Sequence, residues 1–285
     1  MGLLKKTIDK LDKLDRPAIL VGNGINLLTG LFPSWDKLLK THSGVDLKTE
    51  DLTNTEIYDF IELKTEDGSK LKGAIAKSFE NIKKTTKIHQ DFIQLMIQKD
   101  CPVLTTNFDF SFEQDLMTSG GNIYRTSKDG FTRFYPWDTY FGQRQLDLPT
   151  DGFGIWHIHG MIQYYDSIRL GLTDYMGSVE KARRLIHKGD DRLFNGKNQN
   201  NWEGQKTWLH IWFNKPLIIV GLGLSSNEVF IRWLFIEREK YFKKFSDRRK
   251  KTYYLSKGDS LHLDSFLDNL NIKLEKATDY ESLYC

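Results

Sequence analysis

The sequence predicts an α/β protein: a Rossmann-like, doubly wound parallel sheet with helical insertions and no zinc module. Three observations point there. Short apolar runs, each too short for a helix, recur at wide intervals along the 285 residues. The segments between them are long enough to be helical crossovers, which parallel strands require. Each run also ends in glycine or small polar residues. With 39% hydrophobic and 28% charged residues, the composition is that of a soluble globular domain rather than a disordered chain.

Residues 3–14, LLKKTIDKLDKL, place apolar residues at helical spacing, and Arg16-Pro17 stops that helix because the residue before proline avoids the α region. Ala18 to Gly22 is apolar throughout, as suits a strand buried on both faces. Three more runs follow: PVLTTNFDF (102–110), FGIWHIHG (153–160) and KPLIIVGLG (215–223). A fifth strand is expected from Thr252 (TYYLSKGD) and a sixth at NIKLEKAT. Two mostly helical stretches, about 41–99 and 176–213, interrupt the pattern, the second containing NGKNQNNWEG, which reads as a mobile loop. Both are taken as insertions on one domain spanning 1–285. No repeat or low-complexity tract appears.

Ligands of a doubly wound sheet bind beyond the carboxyl ends of its strands, so the residues after each run should face one crevice. These are Gly22, Asn23, Gly24 and Asn26; Thr105, Thr106, Asn107 and Asp109; His157, His159 and Gly160; Gly221, Gly223, Ser225, Ser226 and Asn227; and Ser256, Lys257 and Gly258. Each signal alone has a plain alternative. The GxGxN turn lacks the third glycine of the dinucleotide fingerprint, and its glycines could simply supply φ > 0. Asn107 could cap the helix beginning at FSFEQDLM. His159 could be a satisfied core histidine, although His157 and His159 share one face at period two and Gly160 leaves room beside the ring. The two histidines could bind a metal, but no carboxylate or cysteine lies nearby in sequence to complete a site.

Taken in order, "VGNGIN…PSWDKLL", "TTNFD", "HIHG" and "VGLGLSSNEVFIRWLF" resemble the sirtuin-like (silent information regulator) NAD-binding family, and more closely its bacterial branch of NAD-destroying anti-phage domains. The resemblance covers the strands and their loops, about half of the chain, and neither insertion. It implies that Gly22, Asn23, Gly24 and Asn26 form the first NAD loop. Asn107 and Asp109 then match the catalytic asparagine and its nearby acid, with Thr105 at the cofactor. His159 matches the catalytic histidine, Gly221, Gly223 and Ser225 the second NAD loop, and Ser256 and Lys257 lie toward the adenine. Two departures count against protein deacylation. The four-cysteine zinc module cannot exist in a chain with only Cys101 and Cys285, and Thr106 stands where those enzymes carry glutamine before the asparagine.

The resemblance therefore implies an NAD⁺ glycohydrolase that takes NAD⁺ as substrate, needs no metal, and depletes NAD in anti-phage defence (abortive infection). Departure of nicotinamide leaves an oxocarbenium-like ribose carbon. Asn107 is suited to orienting water and favouring that charge, and His159 to accepting a proton. A module that senses NAD or ADP-ribose without turnover is the competing reading. A nucleic-acid effector is another, prompted by the basic run REKYFKKFSDRRKK (238–251), although a net charge of +3 alone does not argue for it.

Two cysteines without secretory features read as reduced thiols, and MGLLKKTIDK has neither a signal core nor a myristoylation motif, so a cytoplasmic location with no membrane contact is expected. The stretch VFIRWLFIEREKYF, apolar around most of its girth, suggests a homo-oligomer, and the resemblance adds a separately encoded sensor or regulatory protein. The plain alternative is that the 176–213 stretch, with Trp202, Trp208 and Trp212, covers that helix within one chain.

Overall fold

The computed structural model describes residues 2–284 apart from 14, 31, 34, 44–50, 66, 67, 81–84, 129, 227 and 259–262. In chain order the elements are α1 (Leu3–Asp12), β1 (Ala18–Val21), α2 (Gly24–Leu28), α3 (Trp35–Ser43), α4 (Asn54–Lys64), α5 (Gly68–Glu80) and α6 (Lys87–Lys99). Then come β2 (Val103–Thr105), α7 (Glu113–Thr118), β3 (Asn122–Arg125), β4 (Thr139–Gly142), β5 (Ile155–His157), α8 (Leu172–His187), α9 (Trp208–Asn214) and β6 (Leu217–Val220). The chain closes with α10 (Val229–Lys244), β7 (Thr252–Lys257), α11 (Asp264–Asn269), β8 (Ile272–Ala277) and α12 (Tyr280–Tyr284).

All six expected strands form one sheet, in the order β3-β4-β5-β2-β1-β6-β7-β8. The strands from β5 to β8 are mutually parallel, and β3 and β4 add an antiparallel edge. Taken by themselves in chain order, the six parallel strands read 3-2-1-4-5-6, the doubly wound order whose switch point falls between the first and fourth strands, here β1 and β6. Alternation within the strands builds the two layers. Ala18 and Leu20 of β1 face the cluster under α8, α9 and α10, whereas Ile19 and Val21 face the cluster under α1, α6 and α12.

Within the 41–99 stretch, α6 belongs to the sheet, since Phe92, Ile93 and Met96 pack with β1 and β2. The helices α3, α4 and α5 instead bury Leu38, Ile57, Tyr58, Ile61, Ile75 and Phe79 in a third cluster. That cluster closes on Phe108 after β2 and on Ile162, Ile168 and Leu170 after β5. The second stretch supplies α8 and α9. Trp212 packs on Phe235 at 4.6 Å between ring centres, and Phe213 on Tyr241 at 5.4 Å. Part of the apolar girth of α10 is thus covered within the chain, as the plain alternative expects, while Ile236 on the same helix stays exposed. Ser34, Asn227 and Cys285 lie outside the described residues. Among the described residues, no helix is long and apolar enough to cross a membrane.

Candidate active site

The loops that leave β1 and β6 at the switch point meet backbone to backbone. Gly22 N–H donates to Val220 O at 3.1 Å, and Gly24 N–H to Gly221 O at 2.8 Å. A Cβ on Gly22 would lie 2.6 Å from Gly221 O, and one on Gly24 2.7 Å from Gly221 Cα. Both positions therefore require glycine for close approach. Neither adopts positive φ, so the turn is not the φ-driven one of the plain alternative; the left-handed residue of this contact is Gly221, at φ 64°.

Above this floor opens a cavity of about 410 Å³. Asn23, Gly24, Asn107, Asp109, His159, Gly221, Gly223, Ser256 and Lys257 line it, so nine of the thirteen residues that the resemblance assigns to the site come together. Trp35 and Leu38 of α3 and Phe79 of α5 line it as well, as do Tyr254, Tyr280 and Tyr284. Gly22, Asn26, Thr105 and Ser225 do not line it. Gly22 and Thr105 are buried beneath the floor, and Ser225 is exposed.

Asn26 is fully buried and acts through its neighbours. Its Nδ2 donates to Asp109 Oδ2 at 2.8 Å, and its Oδ1 accepts from His89 Nε2 at 2.8 Å and from Ser111 Oγ at 3.3 Å. His89 Nδ1 in turn accepts from Thr86 Oγ1 at 2.9 Å, which fixes the neutral tautomer, and burial keeps its pKa below the ordinary histidine value. Ser111 N–H donates to Asp109 Oδ1 at 2.9 Å. The Asp109 carboxylate is thereby held on both oxygens.

Asn107 is fixed through its backbone. Its N–H donates to Thr105 Oγ1 at 3.1 Å, and its carbonyl accepts from His157 Nδ1 at 2.7 Å. Its Nδ2 reaches toward Gly22 O at 3.5 Å, and its Oδ1 is buried in the cavity wall without a partner. It does not cap a helix, because α7 begins only at Glu113 with Phe112 in the cap position.

The two histidines part company. His157 is enclosed by Phe110 and Phe141, and its Nε2 lies 2.9 Å from Glu113 Oε1. Burial alone would lower its pKa, but the Glu113 carboxylate and the Asn107 carbonyl hold it above the ordinary value. With both ring nitrogens engaged, it is not free to hold a metal. His159 lies beyond the strand end in the opposite layer, against Tyr175 and Phe230, so the two rings do not share the face that period two implied. Its Nε2 is buried and without a partner. Burial, and then the charge of Arg169, lower its pKa to about 3, so the ring is neutral. Gly160 (φ 89°) makes room not for this ring but for the Ser167 carbonyl, which a Cβ would strike.

Besides the aromatic and apolar walls, an acidic cavity residue escaped the sequence reading. Glu228, directly before α10, lines the same space, and its Oε2 is buried and without a partner. Burial raises its pKa to about 7. Its one sequence signal is an acidic residue sitting between the small polar loop SSN and the apolar run VFIRWLF.

The basic run 238–251 is largely tied back into the fold. Arg249 forms a two-point ion pair with Glu239, Lys250 pairs with Asp15, and Arg248 donates to Tyr241 Oη and Gly196 O. Among the described residues, no three His, Cys, Asp or Glu side chains cluster as a metal site.

A switch-point cavity floored by two glycine loops makes this a Rossmann-like protein with an open crevice where doubly wound sheets bind their ligands. The chain belongs to the SIR2-like domain family, whose model matches residues 102–274, well over half of its length. That family comprises NAD-dependent enzymes. Among curated proteins, none matches the chain significantly.

Proposed function

We propose that the protein is an NAD⁺ glycohydrolase, converting NAD⁺ and water to nicotinamide, ADP-ribose and a proton. The observation that carries this reading is the pair of buried, unpartnered polar atoms, Asn107 Oδ1 and His159 Nε2, in one cavity at the switch point. Buried polar atoms are rarely left bare, and a bare pair in a pocket is what a bound ligand completes. Both can accept hydrogen bonds, His159 in its neutral form. The matching ligand end carries donors and positive charge, as the nicotinamide riboside half of NAD⁺ does.

In the reaction the C1′–N bond breaks, nicotinamide leaves as a neutral base with the bonding pair, and water oxygen bonds to C1′. The Asn107 oxygen faces the developing ribosyl cation, and His159 accepts a hydrogen bond from a ribose hydroxyl or the attacking water. Asp109, locked by Asn26 and Ser111, supplies a fixed acceptor on the same side. Thr105 supports Asn107 from below, while Gly221, Gly223 and Ser256 line the way toward the adenosine half. In the cell such turnover would empty the NAD⁺ pool, the action expected of an anti-phage effector, and this reading follows the resemblance to that bacterial branch. Incubating the purified protein with NAD⁺ and measuring free nicotinamide tests it. Release that disappears in both Asn107→Ala and His159→Ala supports the reading, and equal release in all three proteins overturns it.

A further inference from the structure

Glu228 is a carboxylate in an unusual position. Its Oε2 is buried and bare, although a buried carboxylate normally has a cation or several N–H donors beside it. The basic groups on the neighbouring elements are engaged elsewhere. Arg232, one turn along α10, donates to Leu224 O at 2.7 Å and lies 3.8 Å over the Phe266 ring. Arg169 donates to Phe134 O and lies 3.6 Å from Asp174, and Lys257 sits over Tyr280. Tyr175, whose own pKa is raised by burial and then by the charge of Glu228, is the side chain beside it that also touches His159. Asp109, the other carboxylate in the cavity, differs in having both oxygens occupied by donors.

When ionised, Glu228 therefore gives the cavity a buried carboxylate oxygen without a donor, next to two further bare atoms able to accept hydrogen bonds. An anionic or electron-rich ligand end would worsen that imbalance, and a cationic one would relieve it. We propose that Glu228 is the negative partner of the NAD⁺ pyridinium, and that it selects the oxidised, cationic dinucleotide over the uncharged dihydropyridine form. This rests on the reading that the cavity takes NAD⁺. Burial holds the Glu228 proton on up to about pH 7 in the empty cavity, and an incoming cation favours its loss. The same negative charge faces the ribosyl cation once the C1′–N bond has broken.

NADH tests the charge directly, because it matches NAD⁺ in shape, lacks the ring charge and has no leaving group to cleave. Binding of NAD⁺ and NADH would be measured by calorimetry on the full chain at about pH 8.5, where Glu228 is ionised, with Asn107→Ala in the background to stop turnover. We expect NAD⁺ to bind at least about tenfold more tightly than NADH, and the added Glu228→Gln to bring the two within about threefold. The NADH affinity should stay nearly constant. Glu228→Met, which removes the buried charge altogether, gives the same readout if the amide does not fold, and thermal melts report on both. A preference that survives these changes, or that vanishes only in Asp109→Asn, overturns the assignment. If neither nucleotide binds, this proposal and the functional one both fall. A Glu228-dependent preference in a protein that releases no nicotinamide upholds this proposal and overturns the hydrolase.

Discussion

His157 and His159 are two residues apart and both buried, yet they have opposite surroundings. His157 spends both nitrogens on the protein, one on the Asn107 carbonyl and one on Glu113, in the layer of Phe110 and Phe141. His159 keeps Nε2 bare beside Tyr175 and Phe230 in the other layer. The carboxylates divide the same way: Asp109 is saturated, and Glu228 has a bare oxygen. Of these four groups, His157 and Asp109 are tied to the loops around them, and His159 and Glu228 bring unpartnered atoms to the cavity. The difference separates residues whose loss should damage the fold from those whose loss should damage the chemistry.

The sharpest break in that comparison should come from the bare side. Asn107→Ala and His159→Ala are each expected to reduce nicotinamide release by about 10²–10⁴-fold, the usual cost of one positioned polar or proton-accepting group. Their melting temperatures should hold or rise, because an unpartnered buried polar group leaves. Wild-type rates in both variants would dissolve the distinction.

The saturated side should answer in stability. Glu113→Ala strands the buried His157 ring and is expected to cost about 3–5 kcal/mol in denaturant unfolding, as when one member of a buried pair is removed. His157→Ala should fall in the same range. If either variant unfolded with an unchanged midpoint yet lost turnover, His157 would belong with the chemistry.

The two bare ionisable groups also pull in opposite directions with pH. Glu228, raised from 4.5 to about 7, contributes stability that is fully present below about pH 4.5 and lost as pH rises toward 7. His159, lowered from 6.5 to about 3, contributes stability that is present above about pH 6.5 and lost as pH falls toward 3. Between pH 4.5 and 6.5 the slopes oppose, each at most about 1.4 kcal/mol per pH unit. Relative to wild type, stability should therefore rise more steeply with pH in Glu228→Gln and less steeply in His159→Gln. Identical slopes for all three proteins would refute the burial argument.

The smallest effect should come from the basic run. Arg249→Ala removes a partly exposed pair with Glu239 and should cost no more than about 1 kcal/mol in the same unfolding assay.

The six parallel strands were legible because strands buried on both faces read as short unbroken apolar runs, and the crevice was legible because each run ends in small or polar residues. The antiparallel edge was not. β3 (NIYR) is half-exposed and has no apolar run, and TYFG of β4 sits among aromatic turns that carry no period. The role of Asn26 was hidden because its partners, His89 and Asp109, lie far away in sequence. The relation of the two histidines was misread for a local reason: period two holds only while the strand lasts, and β5 ends at His157. Glu228 drew no reading from the sequence, and only the lack of a partner for its Oε2 in three dimensions sets it apart.

Where Gly22 and Gly24 meet Gly221, two stretches of backbone touch with no side chain between them, so this contact holds nothing that can swing. Trp35, Leu38 and Phe79, by contrast, line the pocket from helices with a core of their own. The molecule is built like a vise with one jaw welded to the bench. The amides of β1 and β6 should be among the last to exchange with deuterium, and those of α3 and α5 should carry whatever change a nucleotide brings.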